Sequence, residues 1–187
     1  MKQLATESII NSGKKWQSDS FFEWIQSWFF VPSTNEAPKK DCSKCSCGQS
    51  NSNRILGGDE TGVNQYPWMA IILFNNEYKC GASLINDQYV LTLSGCTFQP
   101  IKNITVRLLE HDRSIDTETK LIDRQVQSIV MPPDDGTFRY SNVALVKFTE
   151  RVALDGVLNP VCLPTPGLSY DGFKGLITGW GSTQKDK

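Results

Sequence analysis

Few side chains in this sequence can do chemistry, and they are unevenly placed. The single imidazole, His111, lies in Leu109-Glu110-His111-Asp112-Arg113. Three charged neighbours predict a solvated loop side chain there rather than a proton-transfer group. Glu110, Asp112, Asp116 and Glu118 of the same loop carry carboxylate oxygens of the kind a hard cation such as calcium takes. Of the six cysteines, Cys42, Cys45 and Cys47 crowd together while Cys80, Cys96 and Cys162 are dispersed. A structural zinc would want two close pairs of thiolates or imidazoles. Dispersed cysteines fit disulfides better, so a secreted protein in an oxidising compartment is expected. Asn103-Ile104-Thr105 is an N-glycosylation sequon, consistent with that compartment.

The elements that must position these groups divide into two textures. From Ile55 onward, short β-runs alternate with turns: Trp68 to Phe74, the turn Asn75-Asn76, Tyr78 to Ile85, Tyr89 to Leu93, Ile104 to Leu109, Ile122 to Met131 and Val143 to Phe148. Six strands at this spacing predict an all-β barrel or sandwich. Residues 1–54 read differently. Ser20-Phe21-Phe22-Glu23 forms a capping box, and Glu23, Gln26 and Ser27 make a narrow polar stripe on an otherwise apolar helix over 20–31 that Pro32 ends. Such a helix either packs on the main domain or serves as a partner-binding or membrane-surface helix. Residues 32–54, rich in Ser, Asn, Pro and Lys, read as a linker.

Bulk properties exclude several classes. Nineteen basic and twenty acidic side chains leave a net charge of −1, which attracts neither nucleic acid nor an anionic membrane. No apolar run reaches the roughly 18 residues of a membrane span, and Met1 to Ser8 contains no apolar core of a signal peptide.

Arg54-Ile55-Leu56-Gly57-Gly58 resembles the activation site of the trypsin/chymotrypsin-like serine proteases, usually Arg-Ile-Val-Gly-Gly. Further matches follow in order: Gln65-Tyr66-Pro67-Trp68, Cys80-Gly81-Ala82-Ser83-Leu84-Ile85, Tyr89-Val90-Leu91-Thr92, Val143-Ala144-Leu145, Pro160-Val161-Cys162-Leu163-Pro164 and Ile177-Thr178-Gly179-Trp180-Gly181. The resemblance covers Ile55 to Lys187, and the composition is similar to arthropod extracellular cascade proteases. It implies a pro-segment and linker over 1–54 and a partial protease domain over 55–187. That domain would comprise the N-terminal six-stranded β-barrel plus the first strand, Gly175 to Gly181, of an incomplete second barrel. The same pattern implies cleavage between Arg54 and Ile55, a Cys80–Cys96 disulfide, and a Cys47–Cys162 disulfide tying the pro-segment to the domain. Cys42 and Cys45 would pair with each other or reach elsewhere. The opening strand of the second barrel would carry unpaired edges, and the barrel face beside it would be uncovered. The isolated chain is therefore expected to be marginal.

The family's chemistry needs a serine nucleophile, a histidine to take its proton and an aspartate to orient the histidine. Where the family writes Thr-Ala-Ala-His-Cys, this chain has Thr92-Leu93-Ser94-Gly95-Cys96; where it writes Asp-Ile-Ala-Leu, this chain has Asn142-Val143-Ala144-Leu145. Gly95 supplies no base. Asn142 is neutral, and the same carboxylate-to-amide swap in trypsin slows turnover about 10⁴-fold. The serine motif Gly-Asp-Ser-Gly-Gly-Pro does not occur up to Lys187. Ser94, beside the lost histidine, is an ordinary hydroxyl without a base. For the calcium reading, the family needs acids at both ends of the loop, and Lys120 stands where the second acid belongs; its ammonium could pair with Glu110, so no metal is expected. Ala82 and Met131 replace a glycine and a histidine common in the family. No cofactor is implied. The resemblance implies a catalytically inactive serine protease homologue, zymogen-like, with a binding or regulatory role in an extracellular proteolytic cascade. Its partners would be proteins, an active serine protease or its substrate. Alternatives are an incomplete serine-type endopeptidase and a non-functional gene fragment.

Overall fold

Alternation of apolar and polar side chains, the period-two signal of half-buried strands, marks several of the eight strands among the described residues. The computed structural model describes residues 1–9, 46–51, 60–115, 117, 119–132, 142–164 and 169–180. The strands are β1 (Leu4–Ile9), β2 (Met69–Phe74), β3 (Glu77–Leu84), β4 (Tyr89–Leu93), β5 (Ile104–Leu108), β6 (Ile122–Val130), β7 (Val143–Phe148) and β8 (Lys174–Gly179). The six from β2 to β7 close into an antiparallel barrel in the order β2-β3-β4-β7-β6-β5. Closure leaves no free edge, the usual problem of an all-β fold. The expected six-stranded barrel is therefore present, with boundaries shifted by a residue or two from the sequence reading.

The β2–β3 hairpin shows how local chemistry sets register. Asn75 and Asn76 both adopt positive φ, 51° and 66°. Asparagine tolerates that region, and two such residues suit the tight turns whose twist matches the flanking strands. Phe74 then pairs with Glu77 and Ala70 with Ala82. Inside the barrel, Ala70, Ile72, Leu84, Val90, Ile104, Val106, Leu108, Val146 and Phe148 are fully buried. On the outer surface, Arg107 and Asp123 sit opposite each other on β5 and β6 and form a two-pronged ion pair at 2.8 and 2.9 Å.

Strand β2 departs from simple alternation. Met69 to Leu73 are all buried, so the strand is covered on both faces. Its outward side chains Met69, Ile71 and Leu73 pack with Tyr66, Trp180 and Ala5 in a second apolar cluster. That cluster lies beneath a two-stranded antiparallel sheet of β1 and β8. The sequence reading expected β8 to have unpaired edges; among the described residues β1 pairs with one of them over six positions, from Leu4↔Gly179 to Ile9↔Lys174, and the outer face of β2 is filled. Strand β1 was not anticipated, because its few apolar residues give no strong alternation; long-range pairing defines it. The helix over 20–31 lies outside the described residues.

Candidate active site

At the end of β4 the chain turns through a short 3₁₀ segment, Ser94–Cys96. The Thr97 amide and hydroxyl both donate to the Ser94 carbonyl, at 2.9 and 2.8 Å, and Cys96 is disulfide-bonded to Cys80 on β3. Strand β4 pairs with β7 through Leu93↔Val143. Directly beyond that pair the Ser94 amide donates to the Asn142 carbonyl at 2.8 Å. Barrel register thus brings Gly95 and Asn142, 47 positions apart in sequence, to one open depression of about 450 Å³. Its lining is Leu93, Ser94, Gly95, Cys96, Phe98 and Asn142. Among the described residues this lining contains no imidazole, carboxyl, amine or free thiol. Leu93 and Phe98, 58% and 70% exposed, give its rim an apolar character.

Nothing in the backbone demands glycine at position 95. A Cβ built there meets no atom within 4 Å, and the residue is not among those with positive φ. The missing side chain is a matter of residue identity, not of lack of space.

His111 occupies a different place from the one its sequence suggested. It is 3% exposed, and Glu110 and Asp112 beside it are each 5% exposed, so the expectation of a solvated loop side chain is overturned. The cause is the unanticipated N-terminal segment. The His111 carbonyl accepts from the Gln3 amide at 3.0 Å and from the Trp180 indole N–H at 2.8 Å. The chain enters this loop through Leu109, held at φ 60°, a sterically costly conformation for a bulky residue. His111 Nε2 lies 3.8 Å from Glu60 Oε1, while Nδ1 is buried without a hydrogen-bond partner. His111 does not line the Gly95–Asn142 depression.

Asp112 accepts from the Ser114 hydroxyl at 2.6 Å, the Met1 ammonium at 2.9 Å and the Ser114 amide at 2.9 Å. These contacts, led by the Ser114 hydroxyl, hold its carboxyl well below the usual carboxylate range. The Arg107 guanidinium stands 3.7 Å from Glu110. Among the described residues no three His, Cys, Asp or Glu side chains gather as a metal site; Asp116 and Glu118 lie outside them.

Residues 46–51 are anchored to the barrel. Cys47 is disulfide-bonded to Cys162, the Gly48 amide donates to the Pro160 carbonyl at 2.8 Å, and the Asn51 amide group reaches the carbonyls of Asn64 and Val157 at 3.0 Å each. Gly48 has φ 67°, and a Cβ there would meet Cys162 Sγ at 3.1 Å. Here glycine is required by both conformation and space. Asn103 is half-buried at the end of the 3₁₀ turn Ile101–Asn103 that leads into β5. Ala82 is buried in the barrel core, whereas Met131 is 37% exposed. Arg54, Ile55, Cys42 and Cys45 lie outside the described residues.

Comparison with known proteins agrees with this geometry. The Trypsin family matches residues 55–187. The chain is 31% identical over 155 residues to Venom serine protease 34 of Apis mellifera, covering 77% of this chain and 38% of that protein. It is 31% identical over 163 residues to Phenoloxidase-activating factor 1 of Holotrichia diomphalia, 74% and 45% respectively. It is 29% identical over 171 residues to Proclotting enzyme of Tachypleus tridentatus, 80% and 46%. The chain spans about half or less of the length of these relatives.

Proposed function

Because the chain belongs to the trypsin family, its ancestral chemistry is to be sought at the Gly95–Asn142 depression, and we propose that it is a serine protease homologue that binds other proteins without cutting them. One observation carries the reading: among the described residues the depression offers no group able to accept a proton from a nucleophile. A serine hydroxyl needs a neighbouring base before it attacks an amide. Gly95 stands where the family's base would be, whatever chain follows Lys187. Loss of the serine or the histidine from the same triad on the unrelated subtilisin fold costs about 10⁶-fold in turnover.

The role that fits is regulatory, within an extracellular proteolytic cascade, with an active serine protease or its substrate as partner. Relatives carrying the names phenoloxidase-activating factor and proclotting enzyme support the cascade. Two disulfides support an oxidising compartment, and the sequon at Asn103 is assigned as its glycosylation site. Residues 55–187 are the protease-like part and those before them the light segment. Cleavage between Arg54 and Ile55 would leave the two joined through Cys47–Cys162. A second reading, the front half of a working endopeptidase, draws on the chain's partial coverage of its relatives.

The deciding measurement is hydrolysis of arginine-containing chromogenic peptides by the purified protein after cleavage at Arg54–Ile55. No turnover above buffer is expected. Turnover abolished by a serine-directed phosphonate would establish the endopeptidase and sink the binding role.

A further inference from the structure

Strand β1 lies outside the region matched to the family, residues 55–187. Among the described residues it is the one strand paired with β8. Its seat is built: six ladder positions on β8, bridges from Lys2 to Asp112 and from Leu4 to Glu60, and backbone bonds from the Gln3 amide to the His111 carbonyl and from the Thr61 amide to the Gln3 carbonyl, at 3.0 and 3.1 Å. Gln3 and Ala5 are buried at 1% and 6% exposure. The Lys2 ammonium meets Glu60 at 2.6 Å. The seat therefore holds an extended segment by backbone bonds along both edges, with the burial of Gln3 and Ala5 and the Lys2–Glu60 ion pair adding to them.

Residues 10–45, 36 positions, separate β1 from the next described residue, Ser46. At about 3.3 Å per residue such a length reaches at most about 120 Å, several times the roughly 16 Å radius of gyration of a compact chain of this size. The sequence that fills the seat is thus long enough to fill the same seat on another molecule. Every contact would be reproduced, because donor and acceptor are the same sequence.

We propose that the β8 seat is a strand-exchange site, and that its partner is the 1–9 segment of a second copy of this chain, giving a reciprocally swapped dimer. Below the effective concentration of the tethered strand, about millimolar for a linked segment, each molecule fills its own seat. The exchanged form grows in proportion to protein concentration.

Disulfide trapping tests this on the full chain, with Cys42→Ser and Cys45→Ser throughout to remove competing thiols. Thr6 faces Ile177 in the ladder, a separation that a disulfide can bridge. Chains carrying Thr6→Cys alone are mixed with chains carrying Ile177→Cys alone and oxidised. The expected result is a mixed covalent dimer whose fraction rises about tenfold for each tenfold increase in protein concentration, up to the millimolar range. It should exceed that from the off-register mixture of Thr6→Cys with Lys174→Cys, since Lys174 faces Ile9. The double variant Thr6→Cys/Ile177→Cys, at high dilution, reports closure within one molecule. A mixed dimer no more abundant than the off-register one overturns the proposal, whether or not the double variant closes. A register-specific mixed dimer supports it even if that closure fails.

Discussion

Placing a histidine at position 95, and then an aspartate at position 142 beside it, gives a direct reading of the geometry at the Gly95–Asn142 depression. In Gly95→His the new imidazole enters open space, since nothing lies within 4 Å of a Cβ at that position. Stability should therefore change by less than about 1 kcal/mol, helped slightly by the smaller entropy of an unfolded chain without that glycine. In Gly95→His/Asn142→Asp a carboxylate joins the same depression. Opposite charges about 4 Å apart attract by roughly 1 kcal/mol in a water-like medium and about 4 kcal/mol in a partly buried one. With 1.36 kcal/mol per pKa unit, and an open site at the weaker end, the carboxylate should raise the imidazole's midpoint by about 0.7 unit over the single variant. The sign follows from the imidazolium being the form that the carboxylate favours. Proton NMR titration reads this cleanly, because the native chain has one histidine, His111, whose signal is assigned from the unaltered protein. Midpoints agreeing within about 0.2 unit between the two variants would refute the placement of residues 95 and 142 on one site. Raised peptide hydrolysis is not part of the expectation.

Three further outcomes are expected. Trp180→Phe removes the indole hydrogen bond to the buried His111 carbonyl and should cost about 1–3 kcal/mol in urea unfolding; a loss under about 0.5 kcal/mol would mean that the Gln3 amide satisfies that carbonyl alone. Cys80→Ser/Cys96→Ser opens a loop spanning a sequence separation of 16, with an expected loss of about 3 kcal/mol, read by the same unfolding; an unchanged midpoint would contradict it. Asp112 has its folded-state pKa depressed, so its contribution is present above the unfolded carboxylate value of about 3.9 and disappears as pH falls through the lower folded value. Asp112→Asn should therefore flatten the decline of the thermal midpoint below about pH 4, and an identical acid limb in both proteins would remove Asp112 from that account.

Much of the barrel was legible in the residues themselves. Strand-like runs of five to nine residues, broken by turn formers such as Asn75-Asn76, mark β2 to β7 because strand pattern and turn conformation are largely local properties. Gly95 and Asn142 could also be singled out from their flanking motifs, since a missing side chain is visible without coordinates. Their meeting at one depression is different: it depends on β4 and β7 becoming neighbours through Leu93↔Val143, a non-local pairing. His111 shows the limit most clearly. Its charged neighbours spoke for solvent, yet Gln3, Trp180 and Glu60, drawn from 108, 69 and 51 positions away, enclose it. Strand β1 was hidden for the same reason, because Leu4–Ile9 has little strand character of its own and becomes a strand by pairing with β8. Residue identity determined which chemical groups positions 95 and 142 present. Tertiary structure decided which surfaces are covered, because burial belongs to the pair of segments that meet and not to either sequence alone.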